Sequence, residues 1–174
     1  MILMRIIGAV IVIGASAIAG VYYGNLETYR MRDLLEFKKA LTILRSQIEY
    51  ARTPLPEAML AIAVRVRESV GKVFEMCAEL LEHERNEKVA HIWAAAVDQY
   101  KDALFLTQED TDQLKDFGAQ LGNMDSEAQI MNISMLIDYI DERTALLNQS
   151  RDKNKKLYRS LGILGGALIV IIFI

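Results

Sequence analysis

Cysteine occurs once in 174 residues, at Cys77, so the chain cannot close a disulfide on itself, and such usage fits a reducing compartment. Proline is confined to Pro54 and Pro56 in the stretch TPLP, where loss of two backbone N–H donors ends a helix. Alternation of apolar and polar residues, the mark of a half-buried strand, is missing from the central region. An excess of positive charge is missing too: the net charge is -3 with a pI near 5.5, which argues against nucleic-acid binding. The phosphate loop is absent, because Gly71-Lys72 runs into Val73 where Ser or Thr would hold magnesium, and Val66 stands where the leading glycine belongs. There is no Gly-x-Ser-x-Gly elbow. His83 and His91, even with Cys77 and Glu79, match no familiar zinc spacing. These absences point to a protein that is not an enzyme and holds no cofactor or metal.

Long uncharged runs lie at both ends. Ile6 to Gly24 is nineteen residues without a charge, long enough to cross a bilayer as a helix. From Leu161 onward fourteen residues carry no charge. At ~1.5 Å per residue these give a thin span of a core of ~30 Å unless Lys155, Lys156 and Arg159 snorkel to the headgroups. Arg5 and the small residues Ala15, Ala17 and Ala19 also suit a cleaved signal peptide, and the C-terminal run also suits a helix folded onto a soluble core. Charge weighs against cleavage. Arg30, Arg32, Lys38 and Lys39 follow the first run, and Arg151, Lys153, Lys155, Lys156 and Arg159 precede the second. Positive flanks stay on the cytoplasmic side, so the region from about 25 to 160 is expected in the cytoplasm between two anchors. Those basic residues also suit the phosphates of a lipid membrane.

Between the anchors, about 135 residues form one domain's worth of chain. Leu34, Phe37, Leu41, Leu44, Ile48 and Ala51 follow a three-and-four spacing, and Ile130, Ile133, Ile137, Ile140, Thr144 and Leu147 repeat it near the other anchor. Two long antiparallel helices are expected from these seams. Shorter helices lie between them: one from about Glu57 to a break near Ser69 to Gly71, then about 72–84, 88–105 and 108–121. Thr107 and Asp110 offer a cap and a first-turn carboxylate for the last of these, and Ser126 with Gln129 makes a capping-box pattern for the final long helix. The expected fold is all-α: a six-helix cytoplasmic bundle over residues 25–158, flanked by N- and C-terminal transmembrane helices at 1–24 and 159–174.

Glu109, Asp110 and Asp112, with Asp98 and Asp102, read as a solvated acidic face or a docking patch for a basic partner. Gly20 with Gly24, and Gly162 with Gly166, are four apart, a spacing that lets membrane helices approach closely.

The stretches YARTPLPEAM (Tyr50 to Met59) and FGAQLGNMDSEAQ (Phe117 to Gln129), with the ending KNKKLYRSLGILGGALIVIIFI, resemble the stage III sporulation protein AB family of endospore-forming bacteria, in order and over essentially the whole chain. The resemblance implies a membrane component of the mother-cell-to-forespore secretion channel, set in the mother-cell membrane around the forespore. It implies a cytoplasmic domain similar to the F domain of type II secretion platform proteins, and partners comprising a sporulation secretion ATPase and other stage III channel components. Larger platform proteins carry two such domains, so self-association into a homo-oligomer would compensate for the single one here. Within the matching stretches Pro54, Gly118 and Gly122 suit architectural roles and Leu55, Phe117 and Leu121 suit the core, while Arg52, Glu57, Asp125 and Glu127 are candidates for contacting a partner, with helix capping an equal or stronger reading for Asp125 and Glu127. A membrane-anchored helical signalling or scaffold protein is the alternative reading, weakened by outer tails only a few residues long.

Overall fold

The computed structural model describes the backbone of residues 2–51, 53–84, 87–121 and 125–173. Inside the long helices, the side chains at 2–7, 9, 13, 150–154, 159, 162–163, 166–168 and 170–173 fall outside that description. Every regular element among the described residues is helical: α1 Ile2–Ser46, α2 Leu55–Ala63, α3 Glu68–His83, α4 Val89–Tyr100, α5 Gln108–Gln120 and α6 Ser126–Phe173. A π-helical turn, Gln47–Ala51, ends the first long helix, and a 3-10 turn, Lys101–Ala103, ends α4. The chain forms two compact units. Met1–Tyr29 with Ala145–Ile174 make one, and Arg30–Thr144 the other.

In the second unit the antiparallel course of α1 and α6 is fixed by two contacts. Lys38 Nζ lies 2.6 Å from Asp141 Oδ1, and Arg45 Nη1 donates to Ser134 Oγ at 3.4 Å. Seven residues up one helix therefore match seven residues down the other. Leu34, Phe37, Ala40, Leu41 and Leu44 are buried on α1, and Ile133, Leu136 and Ile140 on α6. The α1 seam stops short of the expected extent, since Ile48 is half-buried and Ala51 exposed. The π-helical turn begins at Gln47, and its wider winding rotates the residues beyond it off the 3.6-residue stripe.

Aromatic rings bind the helices into one core. Phe37 of α1 meets Phe74 of α3 (centroids 6.2 Å apart), Phe74 meets Trp93 of α4 edge-on (5.3 Å), and Trp93 meets Phe117 of α5 edge-on (5.6 Å). Trp93 is fully buried, and its indole N–H donates to the Leu114 carbonyl at 2.6 Å. Asn132 of α6 reaches the same helix, donating from Nδ2 to the Phe117 carbonyl at 3.0 Å.

Three boundaries differ from the sequence expectation. The chain breaks at Val64 to Arg67, and Gly71 lies inside α3, buried. A Cβ at Gly71 would fall 2.6 Å from the Ala63 carbonyl oxygen, so this glycine permits close packing of α2 on α3 and is not a stop signal. α4 ends at Tyr100, short of the expected 105. The cap of α6 is Asp125, whose Oδ1 accepts from the Ala128 N–H at 2.8 Å, one residue ahead of the expected Ser126. The α5 cap stands as read: Thr107 and Asp110 satisfy each other's backbone N–H groups in a capping box.

Val70, Val73, Phe74, Cys77 and Ala78 form the buried stripe of α3. Burial pushes the Cys77 thiol up to about 12, so little thiolate exists near neutrality. A thiol reagent is expected to leave Cys77 unmodified in the folded protein and to label one thiol per chain in denaturant. Fast labelling under native conditions would contradict this packing.

Candidate partner-binding surface

Glu57 stands exposed in the first turn of α2, behind Pro54 at the cap position and Pro56 in the same turn. That turn forms without a side-chain cap, because proline lacks the N–H a cap would satisfy and has φ preset for a helix. Glu127 stands exposed in the first turn of α6 beside the capping Asp125. Both carboxylates are favoured there by the helix dipole, and neither forms an ion pair among the described residues. Because α1 and α6 run antiparallel in this unit, the end of α1 lies beside the start of α6. The α1–α2 junction and the start of α6 thus share one end of the helix pair. Arg52 itself lies outside the described residues.

The acidic group around Asp110 is not one surface. Glu109, Asp112, Asp98 and Asp102 are exposed, but the Asp110 side chain is fully buried. Arg30 of α1 grips it with two bonds, Nε to Oδ2 at 2.7 Å and Nη2 to Oδ1 at 2.8 Å. Tyr139 of α6 donates its hydroxyl to Oδ1 at 2.8 Å, and the Thr107 N–H and hydroxyl reach Oδ2 at 2.9 and 2.8 Å. One carboxylate therefore ties α1, α5 and α6 together. Burial pushes its carboxyl up, but the hydrogen bonds from Arg30, Thr107 and Tyr139 outweigh that and hold it below the usual aspartate range. Burial, followed by the bond to Asp110, pushes Tyr139 up to about 12. Arg143, one turn on, sits 5.1 Å above the Tyr139 ring and pairs with Glu109. A second buried carboxylate, Asp33 of α1, accepts from the Phe105 N–H at 2.9 Å and pairs with Arg32 at 3.3 Å. The only signal in the sequence for Asp110 was its place in the capping pattern, since Arg30 is 80 residues away.

His83 Nδ1 lies 2.8 Å from the Glu79 carbonyl oxygen, and His91 Nδ1 lies 2.6 Å from Glu87 Oε1, both one turn back on or beside their own helix. Among the described residues no three His, Cys, Asp or Glu side chains gather as metal ligands.

In the first unit Gly20 and Gly24 are buried. A Cβ on Gly24 would stand 3.4 Å from the Lys155 carbonyl oxygen and 3.6 Å from Tyr158 Cβ, so the two helix backbones approach closely there. Gly20 lines an open apolar groove of about 490 Å³ with Ser16, Ala19, Tyr158, Leu161 and Gly165. Gly162 and Gly166 lie outside the described side-chain positions. Among the described residues one helix is long and apolar enough to cross a membrane, the stretch Val10–Ala51. Only 12% of its most apolar window is buried, whereas the core helix of a soluble protein would be mostly covered.

The model of the stage III sporulation protein AB family matches residues 5–174. Stage III sporulation protein AB of Bacillus subtilis (strain 168) is 27% identical over 170 residues, which cover 98% of this chain and 99% of that protein. A solved structure of a stage III sporulation protein AB superposes with a TM-score of 0.67 at 25% identity, covering 72% of this chain and 98% of the solved one. A match that runs from Arg5 to the last residue takes in both apolar segments and all the helices between them, and the chain belongs to the stage III sporulation protein AB family.

Proposed function

We propose that this chain is a non-enzymatic membrane platform component of the sporulation secretion channel between mother cell and forespore, and that its central domain docks a cytoplasmic ATPase. In this reading the apolar segments at 1–24 and 159–174 anchor the chain in the mother-cell membrane, and residues 25–158 form an F-type helical domain facing the cytoplasm. Sporulation as the process is supported by the name shared by the relatives. Anchorage is supported by the exposed apolar stretch in α1 and by the charge distribution. Residues 30–144 hold 14 Lys and Arg against 21 Asp and Glu, a net charge of -7, while the remainder holds 6 against 2, a net of +4. The basic part suits anionic headgroups, and the acidic part suits a basic protein partner.

The observation that supports docking is that Glu57 and Glu127, each in the first turn of its helix, are exposed and form no ion pair among the described residues, since rim charges set register and encounter rate. In detergent or nanodiscs, the full-length chain is expected to bind the ATPase of the same channel, and Glu57→Lys with Glu127→Lys to weaken binding at least tenfold and lower sporulation. Each reversal opposes a helix dipole and costs up to about 1 kcal/mol, so the melting temperature of the variant must be measured alongside. No binding by the unmodified chain at high density in nanodiscs would sink the docking reading.

A further inference from the structure

Residues 30–144 carry a net charge of -7, yet three of their cations meet around one pocket of about 320 Å³. Arg32 comes to it from α1, and Arg67 and Lys72 from the start of α3. Ser69 of α3 and Tyr100 at the end of α4 add two hydroxyl-bearing side chains to the lining. Against the three cations stands one lining carboxylate, Glu68. The pocket is thus a basic spot on an acidic domain, and most of its wall can donate hydrogen bonds.

The surrounding carboxylates position the cations without filling the pocket. Asp33 is fully buried and takes no part in the lining; its Oδ2 accepts from the Phe105 N–H at 2.9 Å, and its Oδ1 lies 3.3 Å from both Nε and Nη2 of Arg32, which orients that guanidinium. Glu36, one turn on from Arg32, accepts the Arg67 backbone N–H at 3.0 Å, so the start of α3 is tied to the helix that carries Arg32. Glu68 pairs with Lys72 at 2.9 Å, but its side chain is 83% exposed. An exposed pair of this kind contributes little, and Lys72 can exchange it for a ligand. Arg67 is exposed and forms no ion pair among the described residues.

The donor set selects the class of anion. A carboxylate is satisfied by the fork of a single guanidinium. A phosphomonoester carries roughly -1.5 to -2 charge near neutrality and three strong acceptor oxygens, so it can engage two guanidiniums, an ammonium and hydroxyls arriving from different helices. We infer that this pocket binds a phosphate group, with Arg32 and Arg67 as forked donors, Lys72 as a point charge and the Ser69 and Tyr100 hydroxyls completing the shell. The phosphate is either free in solution or the headgroup of a lipid. The site lies wholly within the second unit and depends neither on anchorage nor on ATPase docking.

The test is calorimetric titration of the full-length chain in phosphatidylcholine nanodiscs, at constant pH and ionic strength, with inorganic phosphate, with acetate and with water-soluble dihexanoyl phosphatidic acid. Phosphate is expected to bind at least tenfold more tightly than acetate. Arg67→Gln and Lys72→Gln should each weaken it at least fivefold, whereas Arg65→Gln, an exposed arginine outside the lining that changes the net charge equally, should weaken it less than twofold. Arg67→Gln should leave the melting temperature unchanged, and any partition of the lipid into the discs is subtracted with the same variant. Specific binding of the lipid at least tenfold tighter than of phosphate assigns a headgroup, and equal or weaker binding assigns free phosphate; either supports the site. No binding of phosphate or lipid, acetate binding as tightly as phosphate, or equal losses in Arg65→Gln and Arg67→Gln overturns it.

Discussion

Asp110→Ala is expected to destabilise the folded domain by about 3–4 kcal/mol, within the range for removing one partner of a buried ion pair. Three losses combine. The Arg30 guanidinium, whose side chain is only 20% exposed, is left without its carboxylate, the Tyr139 hydroxyl loses its acceptor, and the α5 capping box opens. Glu109→Ala, next in sequence, removes a pair whose members are 56% and 30% exposed and should cost no more than about 1 kcal/mol. Thermal or urea unfolding of the two variants in the same detergent distinguishes them. Equal costs would mean that Asp110 is not the junction of the three helices.

The same carboxylate gives the stability a direction in pH. Its folded-state pKa lies below the ordinary value, so the unfolded chain takes up the proton first as the solution is acidified. The contribution is complete above ~3.9 and is lost as pH falls from there through the folded value. Asp110→Ala should therefore show a flatter stability curve than the unmodified protein below pH ~4. Tyr139 works at the opposite extreme: raised to about 12, it contributes stability that is present below ~10 and lost as pH climbs through the folded value.

Helix type and order were legible because apolar spacing of three and four survives in every segment and the punctuation is local: two prolines, a capping threonine and an aspartate. Residues with two physical meanings were misread. Gly71 can stop a helix or let another backbone come close, and only the Ala63 carbonyl 2.6 Å from its missing Cβ decides between them. Ser126 and Asp125 are both good caps, and the bond to the Ala128 N–H selects Asp125. Asp110 has the composition of a surface residue among acidic neighbours, while the residues that bury and bind it, Arg30 and Tyr139, lie 80 and 29 positions away. The candidate partner residues were legible as motif members. Capping was an equal or stronger reading of Asp125 and the bond from the Ala128 N–H bears it out; what the motif did not convey was that Glu57 and Glu127 form no ion pair among the described residues.

The other large effect is expected where α4 meets α5. Gly118 is buried against the indole of Trp93, and a Cβ at that position would fall 1.9 Å from Trp93 Cδ1 and 2.4 Å from Cγ. No rotation of the methyl avoids this, and the indole cannot retreat easily, being fully buried between Phe74 and Phe117 and bonded to the Leu114 carbonyl. Gly118→Ala should cost about 3 kcal/mol, at the upper end for overpacking. Trp93→Ala should cost about 4 kcal/mol, through lost apolar burial and the cavity left behind. The informative measurement is the cycle. In the Trp93→Ala background the obstacle to the methyl is gone, so Gly118→Ala should cost less than about 1 kcal/mol, and the double variant should fall well short of the sum of the singles. Additive costs would show that Gly118 is intolerant for a reason other than the indole, and the close approach of α5 to α4 would then need another cause.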